Sequence, residues 1–101
     1  MAKTLRLVVL DILKPHEPGI LEVSSEVVKL AGIDGLNTVV YDVDKDVERV
    51  KITIEGKDIP IKNVIKVLEG MGTSLHGIDE VSYGNSVVRE TKTLRDKYPS
   101  T

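Results

Sequence analysis

The apolar and polar positions of the chain follow two periods, which alternate along its length. Residues 4 to 13, TLRLVVLDIL, are aliphatic and β-branched on both faces, the pattern of a central strand covered on both sides. KPHEPG breaks that strand, and Pro18 suits the first turn of a helix. In ILEVSSEVVKLAG, Ile20, Val23, Val27, Leu30 and Ala31 recur at helical spacing opposite Glu22, Ser25, Glu26 and Lys29, with Gly32 and Gly35 as terminators. Period two returns over residues 37 to 43 and again in VERVKITIEG, where Val50, Ile52 and Ile54 alternate with Arg49, Lys51, Thr53 and Glu55. The spacer from Asp44 to Asp46 leaves no room for a crossover, so these two strands pair as an antiparallel hairpin. Asp58 is the expected N-cap of a second helix carrying Ile61, Val64, Ile65, Leu68 and Met71, closed by Gly70 and Gly72. A last strand is expected over about residues 77 to 83.

The order is β-α-β-β-α-β, and right-handed crossovers make it an α+β fold of the ferredoxin-like sandwich type. That fold has an antiparallel four-stranded sheet in the order 4-1-3-2 with two helices on one face. Residues 1–84 account for this domain, leaving 85–101 as a C-terminal tail. Two helices cover one face only, yet the first strand is apolar on both. The second face is therefore expected to be buried by the tail or by a neighbouring subunit, on which the tail would dock.

Composition narrows the function classes. A chain of 101 residues with 41% hydrophobic content supports one compact core, and a net charge of -2 gives no overall basic footprint for nucleic acid or anionic lipid. The absence of cysteine removes thiol nucleophiles, thiolate metal sites and disulfides, and points to an intracellular, cytoplasmic protein. The apolar run before Asp11 is too short to span a membrane and lacks a cleavage site. GIDG and GMG lack the spacing and the lysine of a phosphate loop, and no nucleophile elbow surrounds Ser24 or Ser25. The third strand shows Arg49, Lys51, Thr53 and Glu55 where RNA-binding sheets place stacking aromatics. The expectation is a non-enzymatic protein that engages neither membrane nor nucleic acid.

The candidate chemistry lies in YDVDKDVE, where Asp42, Asp44, Asp46 and Glu48 fall at every second position. The expected topology brings this turn to the same sheet edge as Asp11, His76, Asp79 and Glu80, with His16 and Glu17 in the adjoining loop. Carboxylates from several segments suit a hard cation, calcium or magnesium, so the expected metal ligands are Asp11, Asp42, Asp44, Asp79 and Glu80. His16 and His76 are further candidate ligands and keep a transition ion open. The competing reading is a solvated turn, because Asp favours turns by bonding nearby amides. An EF-hand does not fit: counted from Asp42, its glycine position is Val47 and its last ligand is Thr53. Asp11 interrupts an apolar strand and so requires a partner: a cation, His76 or a backbone amide.

LDILKPHEP, NTVVYDVDKDVERVKITIEG and GTSLHGIDEV together resemble the signature segments of a family of small archaeal proteins with a domain of unknown function. The resemblance runs from about Leu5 to Val81 and leaves the tail after Gly84 outside it. It implies a ferredoxin-like fold and closed, ring-like homo-oligomers, with no assigned activity. Asp11, Pro15, His16 and Glu17, then Asp44, then His76, Asp79 and Glu80 match the family's polar pattern. The resulting expectation is an oligomer that binds a divalent cation near its subunit contacts. Two alternatives stand beside it: a regulatory module taking a small metabolite between subunits, as amino-acid-sensing domains do, and a scaffold whose only role is assembly.

Overall fold

The computed structural model describes residues 3–93. Its elements are β1 (Thr4–Pro15), α1 (Ile20–Val28), β2 (Ile33–Val43), β3 (Val47–Gly56), α2 (Ile61–Gly70) and β4 (Ser74–Gly84). The sheet order is β2-β3-β1-β4 with every neighbouring pair antiparallel, which is the expected ferredoxin-like arrangement read from the other edge. Val8, Leu10 and Ile12 of β1 and Val50, Ile52 and Ile54 of β3 face the helices. There they meet Val23 and Val27 of α1 and Val64 and Leu68 of α2, forming one buried cluster. Burying each of these side chains is worth about 1.5–3 kcal/mol relative to exposure, so this layer is the main source of stability.

Several boundaries differ from expectation, each for a local reason. β2 starts at Ile33 rather than residue 37, and Gly35 lies inside it instead of ending the helix. Gly32 makes the early start possible: its φ is +95°, and its carbonyl accepts the N–H groups of Lys57 and Asp58. A Cβ there would lie 2.1 Å from the Asp58 carbonyl oxygen, so only glycine fits. Pro18 precedes α1, whose N-cap is Gly19. Asp58 does not cap α2; the N-cap is Pro60, and the preceding Ile59 is buried with its N–H donating to the Leu5 carbonyl. The other end of α2 is a Schellman motif: Gly72, at φ +77°, donates to the Glu69 carbonyl and Thr73 to the Leu68 carbonyl.

The helix-free face of β1 is closed by the chain itself. Leu7 and Val9 point to that side, and both are buried. Beyond β4 the Val88 N–H donates to Ser82 Oγ at 2.9 Å, Arg89 pairs with Glu55, and the Glu90 N–H donates to Glu80 Oε2 at 3.3 Å. Ser82 and Glu55 flank Leu7 in the sheet register, and Glu80 sits beside Val9. The segment after Gly84 therefore crosses the outer face above these two residues. Residues 94–101 of the expected tail lie outside the described residues.

Candidate functional site

Asp11 lies on the outer face, opposite Lys51 of β3 and Gly77 of β4, and is only 4% exposed. An antiparallel ladder places Arg49, two residues before Lys51, on the same face and within reach. Arg49 Nη2 donates to Asp11 Oδ2 at 2.8 Å and Nε to Oδ1 at 3.3 Å, a two-pronged contact. The Tyr41 hydroxyl donates to the same Oδ1 at 2.7 Å, and the Arg49 guanidinium lies 5.4 Å from the Tyr41 ring centre. The Arg49 hydrogen bonds hold the Asp11 carboxyl below its usual range against the opposing effect of burial, and Tyr41 adds to them. The same contacts push the Tyr41 hydroxyl and the Arg49 guanidinium up. The partners the structure gives Asp11 are thus Arg49 and Tyr41, which between them engage both carboxylate oxygens, while His76 acts on it only as a nearby charge.

A second charged node, on the helix side, has no counterpart in the expectations. Lys14 is completely buried at the end of β1. Its Nζ donates to the carbonyls of Pro15 and Pro18, each at 2.7 Å, and forms an ion pair with Glu48 Oε1 at 3.1 Å. The other Glu48 oxygen lies 3.0 Å from His16 Nδ1, and His16 Nε2 lies 2.8 Å from the Lys45 carbonyl oxygen. Hydrogen bonds from His16 and then Lys14 hold Glu48 below the usual carboxylate range. With both ring nitrogens engaged, His16 has no free position for a metal.

The remaining candidate ligands are dispersed. Asp42, Asp44 and Asp46 are exposed, and Asp44 Oδ1 accepts the Lys45 N–H at 2.7 Å, the self-capping role that suits a turn. His76 and Asp79 are exposed on β4, where Glu80 accepts from the tail. β2 and β4 are the opposite borders of the sheet, with β3 and β1 between them. Three strand spacings of about 4.8 Å separate their acids by roughly 14 Å, too far for one ion. Among the described residues no group of three or more His, Cys, Asp or Glu is placed to hold a metal. Within one copy these acids therefore do not converge: a shared end of the sheet is not a shared point.

Both borders expose apolar side chains. Val39, Tyr41 and Val43 stand on β2, and Ile78, Val81 and Tyr83 on β4. An open groove of about 330 Å³ lies along the start of β2, lined by Asp34, Gly35, Leu36, Asn37, Thr53 and Glu55. Among the described residues no helix is long and apolar enough to cross a membrane.

The molecule is thus a ferredoxin-like α+β protein with two buried ion-pair nodes and two unpaired apolar sheet borders. Residues 6–97 match the DUF211 family model, described as uncharacterized ArCR, and the chain belongs to that family. It is similar to an uncharacterized protein, MJ0319, of Methanocaldococcus jannaschii: 42% identical over 94 residues, covering 93% of this chain and 97% of that protein. The family match extends past Gly84, so the segment that crosses the outer face belongs to the family's length and not outside it.

Proposed function

We propose that this protein is a non-enzymatic assembly module whose copies join through the free borders of the sheet, β4 of one beside β2 of the next. The observation that carries this reading is the character of those borders. Both are strands of 11 residues with exposed apolar side chains, and neither contains the lysine or proline with which isolated sheets block edge pairing. Joining unlike edges is a heterologous contact, which closes into a ring when the rotation between copies permits.

A divalent cation enters this reading between copies rather than within one. Asp34 and Asp42 of β2, and Asp79 and Glu80 of β4, make both borders acidic. β2 and β4 run in opposite directions, so β4 of one copy laid against β2 of another continues the antiparallel pattern. Laid level, that juxtaposition sets Asp79 and Glu80 beside the second copy's Thr38 and Asn37, on the stretch of β2 between Asp34 and Asp42. Calcium or magnesium, taking oxygen ligands from both borders, would offset the repulsion.

Mass in solution, measured by size-exclusion chromatography with light scattering in chelator and in millimolar calcium, tests both parts. A mass several times 11.1 kDa is expected for the wild type, falling to the monomer value when Ile78→Lys and Val39→Lys are combined. A calcium-dependent rise supports the cation. An identical oligomer in chelator leaves the apolar borders alone responsible, and a monomer in both buffers overturns the proposal.

A further inference from the structure

His16 binds two groups that only accept hydrogen bonds. One is the Glu48 carboxylate, 3.0 Å from Nδ1, and the other the Lys45 carbonyl, 2.8 Å from Nε2. A neutral imidazole carries one N–H and presents a lone pair at its other nitrogen, so only the imidazolium donates to both at once. These two bonds join segments far apart in sequence: His16 lies between β1 and α1, Lys45 is in the β2–β3 turn, and Glu48 is in the second residue of β3. The flanks of the turn are fixed in the ladder, Val43 opposite Glu48 and Val47 opposite Pro15, so His16 ties down the tip, where the Asp44 N–H donates to the Val47 carbonyl at 2.8 Å and the Asp44 side chain caps Lys45. The flanking Val43 and Val47 are both exposed.

We propose that His16 is a pH-sensitive latch, whose protonated ring pins the β2–β3 turn to the β1–α1 loop and whose deprotonation releases one of its two bonds and frees the turn. The charged groups acting on the ring are Glu48 of β3 and Lys14 of β1, with the exposed Glu17, Asp44, Lys45 and Asp46 alongside. The Glu48 hydrogen bond, followed by the Lys45 carbonyl, raises the His16 pKa, while partial burial and the Lys14 charge oppose the rise. A histidine raised in the folded state contributes stability that is fully present below the unfolded value of about 6.5 and is lost as pH climbs through the higher folded value. Glu48, held low by the same contacts, stays ionised across that range, so the histidine alone switches. The latch operates within one copy and is independent of assembly.

Two readouts by mass spectrometry, which work on a particle of any size, test it. The pH dependence of exchange at the His16 ring carbon gives its midpoint, expected above the unfolded value of about 6.5 and lowered by Glu48→Gln. Amide exchange of the peptide covering residues 43–47, corrected for the intrinsic pH dependence, is expected to lose protection as pH passes that midpoint. In a folded His16→Gln variant that step is absent. A His16 midpoint at or below the ordinary value, or turn protection that does not change across it, overturns the latch.

Discussion

Asp11 and Lys14 lie three residues apart on β1, point to opposite faces of the sheet, and are buried by different means. Asp11, on the outer face, meets only side chains: Arg49 from β3 and Tyr41 from β2, both themselves substantially exposed. Lys14, on the helix side, meets the main-chain carbonyls of Pro15, His16 and Pro18 and a carboxylate that is 18% exposed. A burial site made of backbone cannot rotate away when its occupant changes, whereas exposed side chains turn to water. The difference teaches that equal burial does not imply equal dependence: the Lys14 node is structural, and the Asp11 node is adjustable.

That contrast is broken most directly at Lys14. Lys14→Ala strips the ammonium from these partly buried carbonyls and from Glu48, and each group left unpaired away from water costs about 1–3 kcal/mol. Denaturant melts are expected to show the largest loss of any single polar substitution in the chain. A loss within the ±0.5 kcal/mol or so of an ordinary surface change would contradict the assignment. Asp11→Ala comes next, at about 1–3 kcal/mol, because Arg49 and Tyr41 can be hydrated once the acid is gone; Asp11→Asn keeps the shape and is milder. Since the folded Asp11 pKa is depressed, its contribution is present above the unfolded value of about 3.9 and is lost as pH falls through the lower folded value. Acid unfolding curves of wild type and Asp11→Asn should therefore converge at low pH, and parallel curves would refute the pairing. Smaller again is truncation after Gly84. It re-exposes the outer sides of Leu7 and Val9 at a cost of about 1–2 kcal/mol, a few CH₂ equivalents, with increased binding of an apolar dye as the check. An unchanged melting curve would remove the segment from the outer face.

The sequence carried the architecture because its signals are local. VERVKITIEG has an unbroken period of two, and the strand occupies those same residues, 47–56. The covering of the second face was legible too, since the apolar outward residues of β1 demanded it, and the tail supplies part of it. β2 was misjudged because its first residues, IDGL, have no clean alternation, and only the contact of Gly32 with Asp58 extends the strand. Asp11's need for a partner was readable, but the partner was not. Arg49 is placed by the register between β1 and β3, and Tyr41 by the shift between Val40 and Asp42, neither of which a single strand reveals. Lys14 looked like a loop charge in KPHEPG, and its burial arises only when the Pro15 and Pro18 carbonyls fold back around it. The acids converged on paper because topology fixes the end of the sheet a residue occupies, while the strand order that separates β2 from β4 fixes the distance.

The central claim is that β2 and β4 pair with one another between copies, and amide hydrogen exchange resolved along these strands tests it most directly. Successive amides of an edge strand point alternately towards its neighbour and outwards, and in an isolated sheet the outward ones exchange freely. The account predicts that the outward amides of β4 are protected in the wild-type protein and lose that protection, while β1 and β3 keep theirs, in Ile78→Lys combined with Val39→Lys. Free exchange of those outward amides in the wild type would contradict it.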